Sequence, residues 1–259
     1  MPIHTVAYAK NASHASLTAL TPLARSAGED QFRVGGDNDY LMTGHPLRLL
    51  FGACVGGPTI ARARITAPSL VGQPWPGGGP DVFPVNVGAE PLSPLPFVDL
   101  RNNPLPFEER DGVQVQTVNA AAEDNWAFLW FADSVPSPDY AGWRPFRFVT
   151  TASALTAEQW TSRTLTPTQT LRQGAYECGG LMAIGSTLRA ARLSFVGQTW
   201  KPGAIVGDAL ADVRHPFMDP GALGVLGSFR EDSLPSVEFM ADAADNEVQE
   251  VFLWLRKTA

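Results

Sequence analysis

Apolar and polar residues alternate with a period of two along Val113-Gln114-Val115-Gln116-Thr117-Val118. This pattern predicts a strand with one face in a core. Trp126-Ala127-Phe128-Leu129-Trp130-Phe131 and Val251-Phe252-Leu253-Trp254-Leu255 are unbroken apolar runs rich in aromatic rings. Runs of that kind are expected of strands buried on both faces. Further short strands are expected at residues 62–66, 146–150, 192–196 and 237–240. Between them lie loops that proline keeps out of any central ladder, among them Gln73-Pro74-Trp75-Pro76-Gly77-Gly78-Gly79-Pro80. Helix signals are few. Thr156-Ala157-Glu158-Gln159-Trp160 reads as a capping box, with Thr156 as cap and Gln159 three positions on. Residues 120–125 and 241–247 read as a short helix or turn between two strands.

The pattern occurs twice. Val71-Gly72-Gln73-Pro74-Trp75 returns as Val196-Gly197-Gln198-Thr199-Trp200, 125 positions later. Just upstream, the block 59–66 faces 187–194 at an offset of 128, and Cys54-Val55-Gly56-Gly57 faces Ala183-Ile184-Gly185-Ser186. Pro96-Phe97-Val98-Asp99 resembles Pro216-Phe217-Met218-Asp219, and Phe128-Leu129-Trp130-Phe131 matches Phe252-Leu253-Trp254-Leu255 at an offset of 124. The same ungapped register pairs Val113 with Val237 and Val115 with Phe239. An ordered series with small insertions points to tandem duplication of a whole domain, because the period far exceeds that of a solenoid repeat.

The 259 residues therefore divide into two domains, 1–140 and 141–259, joined near Ser134-Val135-Pro136-Ser137-Pro138-Asp139. With 24 glycines and 22 prolines, about 18% of the chain against about 12% in average usage, many turns are expected. The expected fold class is all-β: two tandem β-sandwich domains, jelly-roll-like by size and strand spacing and related by internal duplication.

Charge and chemistry narrow the function. A net charge of −7 argues against broad binding to nucleic acid, which needs a cationic face. Cys54 and Cys178 lack metal or redox spacing and read as buried thiols. The opening Met1-Pro2-Ile3-His4 has no signal-peptide pattern, and no apolar run is long enough for a membrane span, so synthesis in a cytoplasm is expected. The four histidines, His4, His14, His45 and His215, form no ligating pair, and nucleophile-elbow, Walker and dinucleotide motifs are missing. Asp37-Asn38-Asp39 opens like a calcium loop but lacks the glycine and glutamate that should follow. Glu108-Glu109 and Glu231-Asp232 read as solvated acid pairs rather than a glycosidase couple. No catalytic residue, cofactor or metal is expected. The repeated turn residues Gln73, Trp75, Gln198 and Trp200 read either as packing anchors or as a ligand-binding turn, since tryptophan can stack on a sugar ring.

In its tandem β-domains, its length and its lack of catalytic sets, the chain resembles the major capsid proteins of tailless icosahedral viruses. That resemblance implies a double jelly roll, a homotrimer with pseudo-sixfold outline, self-assembly into a shell, and a place in the virion. Other capsid proteins and contact with an internal membrane are further implied partners. Apolar loop residues Leu95, Phe97, Leu105, Phe107, Phe217, Leu223 and Leu226 are the expected subunit contacts. The alternative is a tandem β-sandwich module that binds carbohydrate or a receptor.

Overall fold

The computed structural model describes residues 3–258 apart from 24–31, 43–45, 57–59, 72–78, 80, 82–84, 88–96, 120–123 and 207–218. The described residues are strands, turns and one single-turn 3-10 helix at Pro68–Leu70, so the protein is all-β. The chain splits into two compact units. One, here the N-terminal unit, is Val6–Val135; the other, the C-terminal unit, is Pro136–Ala259 together with Met1–Thr5. The assignment of the first five residues to the far unit has no counterpart in the sequence pattern.

The N-terminal unit is built on β1 (Ile3–Asn11, from Val6 onward), β2 (His14–Ala19), β3 (Thr21–Leu23), β4 (Phe32–Val34), β5 (Tyr40–Met42), β6 (Leu47–Gly56), β7 (Ile60–Thr66), β8 (Val85–Val87), β9 (Phe97–Asp99), β10 (Leu105–Phe107), β11 (Gly112–Asn119) and β12 (Asp124–Ala132). One sheet runs β10-β6-β12-β1-β3, with β8 and β9 also paired to β6. The other runs β2-β11-β5-β4, with β7 also on β11. The alternation along β11 places Val113 and Val115 in a core with Tyr8, Leu49, Cys54, Ile65, Leu129 and Phe131. β12 is buried on both faces, as its composition predicts. Ala127, Leu129 and Phe131 join that core. On the opposite face, Trp126, Phe128 and Trp130 form a row of rings with centroids 6.4 and 6.5 Å apart, and Phe51 meets Trp130 edge-on.

The C-terminal unit contains β13 (Arg144–Thr150), β14 (Thr161–Pro167), β15 (Ala175–Ile184), β16 (Leu188–Ser194), β17 (Gly203–Ile205), β18 (Gly227–Arg230), β19 (Ser236–Ala241) and β20 (Glu250–Lys257). They pair as β17-β16-β19-β14-β13-β20-β15-β18. β14 holds this series together by changing partners along its length. Thr161–Thr164 pair with β19, and Leu165–Pro167 pair with β13. In the N-terminal unit the same exchange is split over two strands: β2 pairs with β11, then after buried Leu20 β3 pairs with β1.

The pairings of the two units match further. β6, β12 and β1 are neighbours, as are β15, β20 and β13; β7, β11 and β2 correspond to β16, β19 and β14. The irregularities match too. The β12–β6 ladder skips Leu50 between Trp130 and Phe131, and the β20–β15 ladder skips Gly179 between Trp254 and Leu255. The β11–β7 ladder slips between Val118 and Asn119, opposite Ala61, and the β19–β16 ladder slips between Met240 and Ala241, opposite Arg189. Bulges are positional features of a strand pair rather than accidents of sequence.

They correct the expected register. They pair Val118 with Met240, an offset of 122, so Val115 corresponds to Val237 and Thr117 to Phe239. The offset of 124 holds only from β12 onward, so the change of two residues falls between β11 and β12 in one copy and between β19 and β20 in the other.

Two other expectations are corrected. The 156–160 segment is not a helix. Glu158 has φ 56°, outside the right-handed helical region, and the Leu155 and Glu158 amides donate to the Asp245 and Ala241 carbonyls, at 2.6 and 2.8 Å, which ties the segment to the end of β19 and the turn after it. β20 is buried on one face only: Val251, Leu253 and Leu255 are interior, whereas Phe252 and Trp254 are half-buried. The 241–247 segment is a turn, held by the Asp245 carboxylate, which accepts from the Thr187 hydroxyl and the Glu247 amide, each at 2.7 Å.

Candidate functional site

The repeated turn is described in the C-terminal unit. Gln73 and Trp75 of the first copy lie outside the described residues. After β16, Val196 and Gly197 form a turn closed by the Gln198 amide, which donates to the Phe195 carbonyl at 3.1 Å. Gly197 has φ +77°, a conformation that a side chain would strain. Trp200 is half-buried, and its indole N–H donates to the Leu226 carbonyl at 3.1 Å. The Leu226 amide in turn donates to the Cys178 carbonyl on β15 at 2.7 Å. Trp200 therefore ties the turn to the segment that leads into β18. Gln198 is half-buried, with its carbonyl oxygen unpartnered.

The expected contact residues are placed differently. Leu95 and Phe217 lie outside the described residues, and Phe97 opens β9, paired with Ala53 on β6. Leu105 and Phe107 are interior, because β10 alternates inward Leu105 and Phe107 with exposed Pro106 as it pairs with β6. Leu223 and Leu226 are interior as well. These four residues fill cores and are not presented to a neighbour. The exposed large apolar side chains among the described residues are instead Val71, Val135, Tyr140, Val196 and Val248. Val71 (65% exposed) and Val196 (75%) occupy the same position in the two copies of the repeated turn. The repeat itself carried that signal, in the residue ahead of the Gly-Gln-x-Trp core. Val196 also edges an open groove of about 320 Å³ lined by Ala175, Ser228, Phe229, Arg230 and Ser233.

The strongest polar cluster is one that sequence reasoning missed. Arg192 on β16 is 1% exposed and faces Glu238 on β19, 0% exposed, with Nε to Oε2 at 2.7 Å. The Lys201 ammonium reaches Glu238 at 3.2 Å, and the Trp160 ring lies under the Arg192 guanidinium at 4.1 Å. The signal was available in Arg192 on a strand opposite an acidic position, within a repeated block where Arg64 holds the matching place.

The remaining candidates are scattered. His14 is fixed by the Ala12 carbonyl at 2.7 Å and the Thr117 hydroxyl at 2.9 Å. His45 and His215 lie outside the described residues. Burial pushes both thiols, Cys54 and Cys178, up to about 12, which leaves them un-ionised and unreactive. Asp37 and Asn38 form the tip of the β4–β5 hairpin, with Asn38 at φ 57° and the Gly35 amide donating to the Asp39 carbonyl at 2.8 Å. Among the described residues no group of three His, Cys, Asp or Glu side chains could hold a metal. Glu108 and Glu109 are exposed; Glu231 accepts from the Gly174 amide at 2.8 Å, which holds its carboxyl below the usual range. No helix among the described residues is long and apolar enough to cross a membrane.

No family model matches the chain, and no curated protein matches it. Two solved structures align with it. The major capsid protein P2 from Bacteriophage PM2 is 8% identical over 98% of this chain and 96% of its own, with a TM-score of 0.22. Paenibacillus xanthan lyase is 12% identical over 99% of this chain and 25% of its own, with a TM-score of 0.20. At those scores neither likeness carries a fold or a function to this protein.

Proposed function

We propose that the protein is a structural subunit that self-associates, as a capsid protein built from two jelly-roll-like β-sandwich domains that arose by internal duplication. The observation that carries this reading is the repeated strand pairing, including the matched bulges opposite Leu50 and Gly179 and opposite Ala61 and Arg189. A duplicated unit gives a homotrimer six near-equivalent positions around its axis, and each copy is free to diverge at its contacts while keeping its core. The matched, exposed Val71 and Val196 are the kind of feature such a lattice uses twice. The polar clusters described above serve packing and turns, which favours a structural role over catalysis. In this reading the place of action is the virion, and the partners are further copies of the chain.

The test is the mass of the native protein by light scattering, with negative-stain images of the same sample. Trimers near three times 27.8 kDa, with closed particles or sheets, are the expected result. A monodisperse monomer or dimer that does not assemble overturns it.

One feature favours a second reading, a carbohydrate- or receptor-binding module: the open groove beside the Val196 turn, with hydroxyls from Ser228 and Ser233 and the Arg230 side chain at its edge. A glycan array distinguishes the two.

A further inference from the structure

Residues 3–5 join the C-terminal unit at its most elaborate polar cluster. The Thr5 amide donates to the Lys201 carbonyl at 3.0 Å, and the Thr5 carbonyl accepts from Arg192 Nη1 at 3.0 Å. Arg192 is itself held by Glu238 at 2.7 Å and by the face of Trp160, so its guanidinium fork is fixed in direction before it reaches Thr5. The Thr5 hydroxyl is buried with no partner. The grip is therefore on the main chain. Gly203 provides the room: a Cβ there would stand 2.9 Å from the Thr5 hydroxyl. Two residues further on, Ala7 already pairs with Leu23 of β3, so the hold on Thr5 comes just ahead of that ladder in the chain.

A buried ion pair adds little to stability over a well-packed apolar pair of the same size. What this one supplies is a directed donor for a backbone carbonyl beside a carbonyl that accepts a backbone amide, the requirement for capturing an extended segment by strand addition. We propose that Arg192, Glu238, Lys201 and Trp160 form a seat for an extended peptide segment, that residues 3–5 are a strap filling it within the chain, and that the same segment of a second copy of this chain takes its place on exchange. The inference does not depend on the shell reading.

Hydrogen exchange on the intact chain tests the strap. Residues 3–5 should exchange at least tenfold faster than residues 7–9 of the same strand, and Arg192→Gln should accelerate residues 3–5 a further tenfold while leaving 7–9 unchanged. Equal protection across residues 3–9, indifferent to Arg192→Gln, overturns it. Exchange between copies is read by mixing and refolding ¹⁵N-labelled chains with unlabelled chains that carry a photoreactive leucine analogue in place of Ile3. Cross-links from position 3 of an unlabelled copy to the C-terminal unit of a labelled one are expected. Products confined to single copies overturn the external occupant.

Discussion

Arg64 and Arg192 hold corresponding places in the two units, on β7, which follows β6, and on β16, which follows β15, and they are used in opposite ways. Arg64 stands across from neutral Gln116 and turns outward to Asp81, at 2.7 Å, in a pair whose side chains are 23% and 39% exposed. Arg192 stands across from Glu238, out of water, and is covered by the start of β1. One exchange at the facing position, glutamine for glutamate, separates a solvated arginine from a buried one with a structural task. The aromatic strands diverge in the same way. Trp130 and Phe128 are fully buried in the N-terminal unit, whereas Trp254 and Phe252 at the matching places are half-buried. The shared pairing scheme thus sets where strands and bulges lie, and single residues decide which face becomes interior.

The largest separation between the units is expected from their arginine partners. Glu238→Ala strands the Arg192 guanidinium and should cost about 3–5 kcal/mol, whereas Arg64→Ala should cost at most about 1 kcal/mol, as for other surface pairs. Denaturant titrations of both variants measure this, and equal losses would break the comparison. Trp130→Ala should cost a similar 3–5 kcal/mol, roughly, and Trp254→Ala about half as much, since part of its surface stays wet. Trp200→Phe removes the hydrogen bond to Leu226 together with part of a half-buried ring and should lower stability by about 1–2 kcal/mol with the fold intact by far-ultraviolet dichroism. Val71→Ser with Val196→Ser should leave monomer stability within about 0.5 kcal/mol. The same double variant should reduce association in sedimentation runs, and unchanged association removes these valines from any interface.

Acid sharpens the comparison least. Burial raises the Asp99 carboxyl, but hydrogen bonds from the Arg101 side chain and amide outweigh that and hold it below the usual range. In the C-terminal unit, hydrogen bonds from Arg256 and from the Ala141 amide hold Asp139 below it. A depressed carboxylate stabilises the fold at pH values above its unfolded range and loses that contribution as the pH falls through its folded one. Carboxyl titration by NMR should therefore find both groups still ionised at pH values below the usual carboxylate range.

Most strands were legible because their periodicity reports burial directly, as at Val113 to Val118 and Trp126 to Phe131. Three of the features that were not show why. The helix expected at Thr156 failed because its capping signal is local, while the Asp245 and Ala241 carbonyls that claim its amides come from 80 or more residues away. The register of β11 against β19 was misread by two because residue identity is blind to bulges, which only the ladders reveal. Leu105, Phe107, Leu223 and Leu226 were assigned to contacts because short segments among prolines resemble exposed loops, and only pairing with β6, or hydrogen bonding to β15, brings them inside.

The strand that changes partners has a mechanical meaning. A pull along β14 is shared between two ladders, Thr161–Thr164 against β19 and Leu165–Pro167 against β13. The two ladders lie in series on one uninterrupted strand, so tension on either is passed to the other through the β14 backbone. Under tension the two ladders are therefore expected to be loaded together, as the stitches of a seam are, and in the N-terminal unit Leu20, whose amide donates to the Val115 carbonyl at 2.7 Å, carries the load from β2 into β3.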